Sequence, residues 1–569
     1  MFPRSKKSYL CTNVDRPFVY TSFPDLLDER AYESPDKPAH IFRDLRAIDP
    51  GSRGEGETVL ERKVVSFKDI ADKSRFVAAN LLDLGINPGD RIGVLGRNSP
   101  EWLFLDYACL RINVLMIRIP GSLMYHDAFV EVLYRYRCNI LFVDHGETIQ
   151  DINRIMPGLL NGKLPEEDSQ KLGSLRIMYL RSQSDTDQLK TVRSMSESKC
   201  DVTRVMAIQE CLDPDDIAIV LPTSGTTGIP KFCAFSHFKI INASIASMTG
   251  FDPETKGYAV VGLDLPMTWI GGLHFSPVST GFTFVHIDQS IGSMSTAAEL
   301  IFQIVREEQV TSIAIMPFML YDALKAQQAG KLTISASLEN IVTGGERVPQ
   351  ELISLASTVF KSVLVYYGLT EGYECLKNKP LEKGFYTTEM MPHYEAKITD
   401  DNGGTVSRGV PGNLQIRSPL TMIGFLDDPD ASAKVKSSSG WLDTGDVAII
   451  HESGFLEVVG RTKHIISCST RKIYPKTIEG IILKNPKVEN VIVIGLPDVR
   501  FFEVVCACVI PKPVTNLTEQ ELHGYCANET LESILVPKYF MFLDNFPKGS
   551  TGKISRHTLL EMAKKHFDR

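Results

Sequence analysis

The chain has 569 residues, more than a single hydrophobic core sustains, so at least two domains are expected. Apolar residues make up 43% and charged residues 23%, an ordinary globular mix with ample material for a large core. The formal net charge of -8 argues against nonspecific nucleic-acid binding, which needs a basic face, so no nucleic-acid partner is expected.

The 11 cysteines are spread along the chain, with no CxxC pair and no His/Cys cluster at metal-ligand spacing. Reduced thiols in a reducing compartment are expected. No apolar run is long enough to cross a bilayer, so no transmembrane segment is expected. The stretch from Met1 to Phe18 lacks the apolar core of a secretory signal, and the end, His566 to Arg569, is not a peroxisomal Ser-Lys-Leu tail. The expectation is a cytoplasmic protein. A basic start free of acids until Asp15 leaves the mitochondrion open.

In chain order, Ala47 to Glu61 reads as a surface loop, with Pro50, Gly51, Gly54 and Gly56 among charges. Arg91 to Leu95 reads as a buried strand, followed by helical patterns over Trp102 to Ile112 and Asp127 to Tyr136. Asn139 to Val143 is the next strand, and Ser182 to Lys199 reads as a second polar loop. Ile217 to Leu221, Ser312 to Ile315 and Val363 to Tyr366 repeat the short apolar run. After Gly460 the character changes: a basic segment, a helical stretch from Pro475 to Lys484, then strands at Val491 to Ile494 and Val504 to Val509. The alternation predicts an α/β fold: a large N-terminal domain of parallel-type sheets flanked by helices, residues 1–460, and a small C-terminal α/β domain, residues 461–569.

The sharpest local feature is Thr223-Ser224-Gly225-Thr226-Thr227-Gly228-Ile229-Pro230-Lys231, directly after the strand ending at Leu221. Glycines let the backbone turn and approach a ligand, hydroxyls donate to phosphate oxygens, and Lys231 adds a mobile positive charge. On composition alone the string also reads as a polar turn; its spacing is not that of a Walker A loop.

The full string resembles the signature loop of the adenylate-forming superfamily, which includes acyl-CoA synthetases, nonribosomal-peptide adenylation domains and beetle luciferases. Counterparts of the family's other motifs follow in order. Tyr367-Gly368-Leu369-Thr370-Glu371 is similar to its Tyr-Gly-x-Thr-Glu segment. The resemblance implies that Tyr367 stacks on adenine and that Glu371 holds Mg²⁺ together with Thr223. Gly344-Gly345-Glu346 resembles the segment that lets backbone approach the purine, and Asp446, in Gly440-Trp441-Leu442-Asp443-Thr444-Gly445-Asp446, is implied to accept from the ribose hydroxyls. Gly460-Arg461-Thr462-Lys463 resembles the start of the hinge, with Arg461 reaching the nucleotide and Lys463 as swivel. Pro547 to Ile554 resembles the C-terminal catalytic loop and makes Lys553 the catalytic lysine.

By this resemblance residues 1–460 bind ATP and the acyl substrate, and residues 461–569 form a mobile domain. The implied reaction activates a carboxylic acid, fatty or aryl, with ATP and Mg²⁺, then hands the acyl group to CoA. Several positions depart from the pattern. Ser467 and Thr470 stand where relatives carry Lys and a tunnel-lining Gly, and Thr268-Trp269 replaces the Phe-His pair before Gly271-Gly272, so that Trp269 reads either as a cap on the acyl site or as a core residue. Three readings stay open: a CoA ligase, an adenylating enzyme with oxidation or carrier-protein transfer as the adenylate's fate, and a catalytically silent nucleotide-binding protein.

Overall fold

The computed structural model describes every residue except 1–6, 13–16, 46–59, 121–125, 145–146, 162, 182–190, 224–229, 249–259, 264, 289–290, 292–293, 295, 346–347, 349, 381–385, 469–470, 474, 499–501, 514, 530–534, 549–553 and 569. The chain divides into two compact units. The larger comprises Cys11–Glu395 and Ile416–Leu442; the smaller comprises Met1–Leu10, Ala396–Gln415 and Asp443–Arg569.

The larger unit is built on two sheets whose central strands are short apolar runs without alternation. Ile140–Val143 is buried at every position, and Ile217–Pro222 at all but its ends. Such strands have no polar face to give to water, so helices must cover both sides, which is the condition of a parallel sheet. The seven-stranded sheet runs, in spatial order, Gly424–Phe425, Phe232–Ser236, Ile217–Pro222, Leu115–Arg118, Arg91–Leu95, Ile140–Val143 and Arg176–Tyr179. Its last five strands are parallel, and Phe232–Ser236 is antiparallel to both its neighbours. The nine-stranded sheet has a parallel centre from Ser362–Leu369 through Asn340–Gly344, Ser312–Ala314, Val260–Leu263 and Thr283–Ile287 to Pro38–Leu45. Antiparallel strands flank it on both sides: Tyr373–Pro380 and Tyr386–Met390 at one margin, Leu60–Ser66 at the other. The expected parallel-type α/β architecture is therefore present, with antiparallel margins that apolar runs alone do not reveal.

Local chemistry fixes the helices. Ser66 and Asp69 form a reciprocal capping box that starts helix Phe67–Asp83. Ser236 caps His237–Ser247 by accepting from the Lys239 amide. The expected loop over 182–199 needs correction: Val192–Glu197 is a short helix. Thr191 and Ser194 cap it reciprocally, and Val192 and Met195 are buried on one side. The serines and charges that suggested a loop are its cap and its exposed face. Most of the other expected loop, residues 46–59, lies outside the described residues, and from Leu60 the chain is strand.

In the smaller unit, Tyr9–Cys11, Glu395–Thr399, Gly412–Arg417, Leu442–Ile450 and Leu456–Arg461 form a five-stranded sheet. A second sheet holds Arg471–Ile473, Ile466–Cys468, Phe502–Pro511 and Val488–Asp498, with Tyr539–Phe542 parallel to Phe502–Pro511. Cys506 and Cys508 are fully buried in that strand, as its apolar run implies. No described helix is long and apolar enough to cross a membrane.

The larger unit also buries a chain of polar groups between its sheets. Arg118 donates to both Asp106 oxygens at 2.5 and 2.7 Å, and His274 Nε2 lies 3.1 Å from Asp106. Across the gap, His40 Nδ1 and His286 Nε2 share a 2.9 Å hydrogen bond. Burial holds His286 down at about 3 and His40 well below its ordinary value; it also lowers His274, against the opposing pull of Asp106. Burial thus disfavours the charged form of all three imidazoles in the fold. The unfolded chain takes up protons below about pH 6.5 that the folded chain cannot, so their contribution is complete above that pH and lost as pH falls. Urea unfolding at pH 7.5 and 5.5 is expected to show a loss of about 1.4 kcal/mol from His286 alone at the lower pH. His286→Phe should narrow the gap between the two curves; an unchanged gap would mean the imidazole is not held neutral.

Candidate active site

The nine-residue string is the turn of a hairpin. Strands Ile217–Pro222 and Phe232–Ser236 pair antiparallel, with Leu221 opposite Cys233 and Pro222 opposite Phe232, and the Thr223 amide donates to the Lys231 carbonyl at 2.8 Å. Both ends of the loop are thus anchored to a buried sheet. Pro230 is buried, and Lys231 Nζ stands 5.1 Å from the centre of the Phe425 ring. Ser224, Gly225, Thr226, Thr227, Gly228 and Ile229 lie outside the described residues.

A second hairpin carries the Tyr-Gly-x-Thr-Glu segment. Ser362–Leu369 turns back into Tyr373–Pro380 with Leu369 opposite Tyr373, which leaves Thr370, Glu371 and Gly372 as the whole connection. Glu371 therefore sits at the tip of a tight turn. Tyr373 closes that turn with φ of 59°, a left-handed conformation costly for a bulky residue and found most often where function imposes it. A Cβ on Gly368 would lie 2.5 Å from the Tyr373 carbonyl oxygen, so the hairpin itself requires that glycine. Gly344 ends the neighbouring strand opposite Tyr366, and a Cβ there would meet the Tyr366 carbonyl oxygen at 2.3 Å. Gly345 has φ of 76° and open space where a side chain would be. Glu346 lies outside the described residues. Gly344, Gly345 and Tyr367 thus stand at or near the carboxyl ends of parallel strands, the usual edge for ligands in such sheets.

The two hairpins are laced together. The Met422 amide donates to the Glu371 carbonyl at 2.9 Å, and the next amide, Ile423, donates to the Ala234 carbonyl at 2.7 Å. Burial, and then the negative charge of Glu371, push the Cys233 thiol well up, so the carboxylate lies within electrostatic reach of the strand leaving the loop. A hydroxyl at Thr223 and a carboxylate at Glu371 are hard oxygen donors of the kind Mg²⁺ takes beside phosphate. No group of three or more His, Cys, Asp or Glu side chains placed to hold a metal is found among the described residues.

In the smaller unit, Asp446 and Arg461 are register partners across an antiparallel pair. Arg461 Nε lies 3.0 Å from Asp446 Oδ1, and its Nη1 donates to the Thr444 carbonyl. Gly445, at φ of 66°, supplies the bend before the buried Asp446. Lys463 lies on the short turn Thr462–His464 that follows; its side chain is outside the described residues. Lys553 and Thr470 are outside them too. The flanks of the Lys553 loop are described: Lys548 and Ile554 form an antiparallel bridge, and the Ser555 amide donates to the Pro547 carbonyl at 2.8 Å.

Sequence reasoning missed a cavity in the larger unit, walled by Met248, Leu273, Phe284, Ala314 and Val342 and closed by Tyr366 and Glu374. Ile270 and Gly271, on the turn after Trp269, line it, whereas Trp269 does not. A Cβ on Gly272 would come within 2.0 Å of the Pro266 carbonyl oxygen, so that turn owes one of its glycines to packing.

The overall architecture is that of the adenylate-forming enzymes. The solved structure of the anthranilate CoA ligase AuaEII with anthranoyl-AMP matches with a TM-score of 0.77 at 20% identity, over 98% of this chain and 99% of that one. The amide bond synthetase McbA from Marinactinospora thermotolerans matches with a TM-score of 0.76 at 20% identity, over 95% and 99%. A family model described as AMP-binding enzyme matches residues 27–426, and one described as AMP-binding enzyme C-terminal domain matches residues 477–553. The chain belongs to the AMP-binding enzyme family, as an acyl-CoA synthetase-like member. A mitochondrial medium-chain acyl-CoA ligase of Mus musculus is 25% identical to it, over 98% of this chain and 90% of that protein.

The glycine geometry yields a test. Gly344→Ala drives a Cβ into backbone that no rotamer can move, and is expected to destabilise by about 2–3 kcal/mol. Gly345→Ala meets open space and only the cost of its left-handed φ, about 1 kcal/mol. Equal losses on chemical denaturation would show that the two strands separate freely at that point.

Proposed function

We propose that this protein condenses a carboxylic acid with ATP to an acyl-adenylate and then transfers the acyl group to the thiol of CoA. The observation that carries the reading is the lacing of the Glu371 turn to the phosphate-loop hairpin through Met422 and Ile423. It ties the Glu371 turn to the strand that leaves the loop of hydroxyls, glycines and Lys231, which supports a role for both at a nucleotide's phosphates.

In the first step a carboxylate oxygen attacks the α-phosphorus, and the bond to the β-phosphate oxygen breaks to release pyrophosphate. Two anions meet, so the residues must neutralise charge rather than transfer protons. We assign that task to Lys553, with Lys231 and the hydroxyls of Thr223, Ser224, Thr226 and Thr227 on the phosphates. Tyr367 packs the adenine, Gly344 and Gly345 admit it, and Asp446 with Arg461 takes the ribose. Mg²⁺, held by Glu371 and Thr223, would supply charge neutralisation on the phosphates. In the second step the CoA sulfur attacks the acyl carbon and AMP leaves. The swivel is placed at Lys463, so that the segment after it, residues 461–569, presents Lys553 for the first step and withdraws it for the second. The acyl chain is assigned to the cavity beneath Tyr366.

A second fate for the adenylate keeps one specific support: Thr470 stands where relatives have a tunnel-lining glycine, and the amide bond synthetase shares the fold without being a CoA ligase by name. One assay separates the fates. Acids, medium-chain alkanoates first because the mouse relative is named for them, are incubated with ATP and Mg²⁺, and pyrophosphate and CoA thioester are read in parallel. Pyrophosphate without thioester favours another acceptor; no pyrophosphate from any acid overturns the reading.

Lys553→Ala is expected to lower pyrophosphate formation by roughly 10²–10³-fold while ATP binding is kept, because its charge acts where the anions meet. Transfer from preformed adenylate to CoA should survive. A near-normal rate of pyrophosphate release would remove Lys553 from this role. Asp446→Ala should instead weaken ATP binding by about 2–5 kcal/mol, since it deletes acceptors for ribose and leaves Arg461 without its partner. Glu371→Gln should raise the Mg²⁺ concentration needed for half-maximal rate, since a neutral amide is a poorer ligand for a hard cation. Magnesium titrations that coincide with wild type would cancel the metal assignment.

A further inference from the structure

We propose that the cavity beneath Tyr366 selects acids that carry a hydrogen-bond donor, a hydroxyl or an amine, at the end remote from the carboxylate, with Glu374 and Ser247 as the specificity-determining residues. The proposal rests on the acid-activation reading above and goes beyond it by naming the substrate class.

The cavity walls are apolar almost throughout, as an alkyl or aryl chain requires. Met248, Leu273, Phe284, Ala314 and Val342 supply them. Polar side chains break the pattern: Glu374, Ser247 and Ser276 lie on the lining together with the phenols of Tyr366 and Tyr373. Glu374 faces the cavity from strand Tyr373–Pro380, held in register by its pairing with Gly368. Ser247 comes from the last turn of helix His237–Ser247 and is almost wholly buried, and its hydroxyl meets no partner at full hydrogen-bonding geometry although Glu374 and Tyr373 stand near it. The nearby phenols are already engaged: Tyr366 donates to the Ser247 carbonyl at 2.9 Å, and Tyr373 lies 3.5 Å from the Ser244 hydroxyl. The corner therefore holds an acceptor, Glu374, with the Ser247 hydroxyl close enough to act on it.

Burial raises the Glu374 carboxyl to about 7, and the Ser247 hydroxyl pulls it back only in part. No cation contributes to that balance. A carboxyl in an apolar enclosure without a counter-charge is costly for a fold to keep if nothing satisfies it. A methyl terminus pushed into this corner would strip away the remaining solvation and offer nothing in return. A hydroxyl or amine would donate to the Glu374 oxygen and accept from, or lie beside, the Ser247 hydroxyl. Sites that hydrogen-bond a substrate group discriminate strongly against analogues lacking it, because their own polar atoms are then left unpaired. Depth in the pocket follows from the strands. Val342 lies two residues before Gly344, and Tyr366 is opposite Gly344, so the cavity extends from the strand ends assigned to the nucleotide toward the sheet interior.

The experiment measures kcat/KM for pyrophosphate release with three acids of matched chain length: unsubstituted, ω-hydroxy and ω-amino. The wild type is expected to favour at least one donor-bearing acid by about tenfold or more over the unsubstituted one. Preference for the amine identifies Glu374 as acting in its ionised form, and preference for the hydroxyl alone identifies a neutral hydrogen-bonding role. Glu374→Leu should reverse the order in favour of the unsubstituted acid. Glu374→Gln, nearly isosteric, should keep the hydroxyl preference and lose that for the amine, which distinguishes lost recognition from a damaged fold. Ser247→Ala should shrink the preference without reversing it. A wild type that favours the unsubstituted acid, or a ratio unaltered in Glu374→Leu, overturns the proposal while leaving acid activation standing. No pyrophosphate from any of the three, or from the wider acid panel, overturns the activation reading itself and this inference with it.

Discussion

Two consecutive backbone amides do more to define the site than any one side chain. Met422 donates to the carbonyl of Glu371 and Ile423 to that of Ala234, so a single extended segment ties the acidic turn of one sheet to the hairpin of the other. Backbone groups in such a place have no water to fall back on and must be paired. The pairing fixes where the Glu371 turn stands relative to strand Phe232–Ser236. Glycine flexibility, loop hydroxyls and the tight turn at Thr370 to Gly372 all act within the frame that this lacing sets.

Each proposed ligand segment lies where the chain reverses into an antiparallel partner. Thr223 to Lys231 joins Ile217–Pro222 to Phe232–Ser236, and Glu371 joins Ser362–Leu369 to Tyr373–Pro380. Asp446 and Arg461 face each other across a third such pair, and Lys548 and Ile554 close the base of the Lys553 loop. A parallel centre supplies rigid, fully buried strands; an antiparallel margin lets the chain return at once and leaves the short turn projecting. The strain stored at Tyr373 and the close approach at Gly344 mark the points where this geometry is tightest.

The interior carries a different kind of polarity. Arg118 pairs with Asp106, Asp106 lies beside His274, and His40 pairs with His286, all of them buried. Breaking such a network leaves an uncompensated buried group, so it holds the sheets in one arrangement. Half-buried Glu374 and buried Ser247 face a cavity instead, and no cation acts on the Glu374 carboxyl.

The sequence by itself determined the α/β alternation, the strands at Arg91–Leu95 and Ile217–Pro222, and the identities of the glycines, hydroxyls and acids at the turns. These were legible because periodicity and turn chemistry are local and leave their mark within a few residues. It misread Val192–Glu197 as part of a loop, because cap and exposed-face residues resemble those of a loop. Only the tertiary structure decided that Phe232–Ser236 runs antiparallel, that Gly368 and Gly272 are required by packing, that Met422 and Ile423 join the hairpins, and that Glu374 shares a cavity with Ser247. The physical reason is common to all four. They depend on which distant segments become neighbours, and a backbone hydrogen bond or a Cβ-sized gap between distant segments imposes no residue pattern that a reading along the chain can detect.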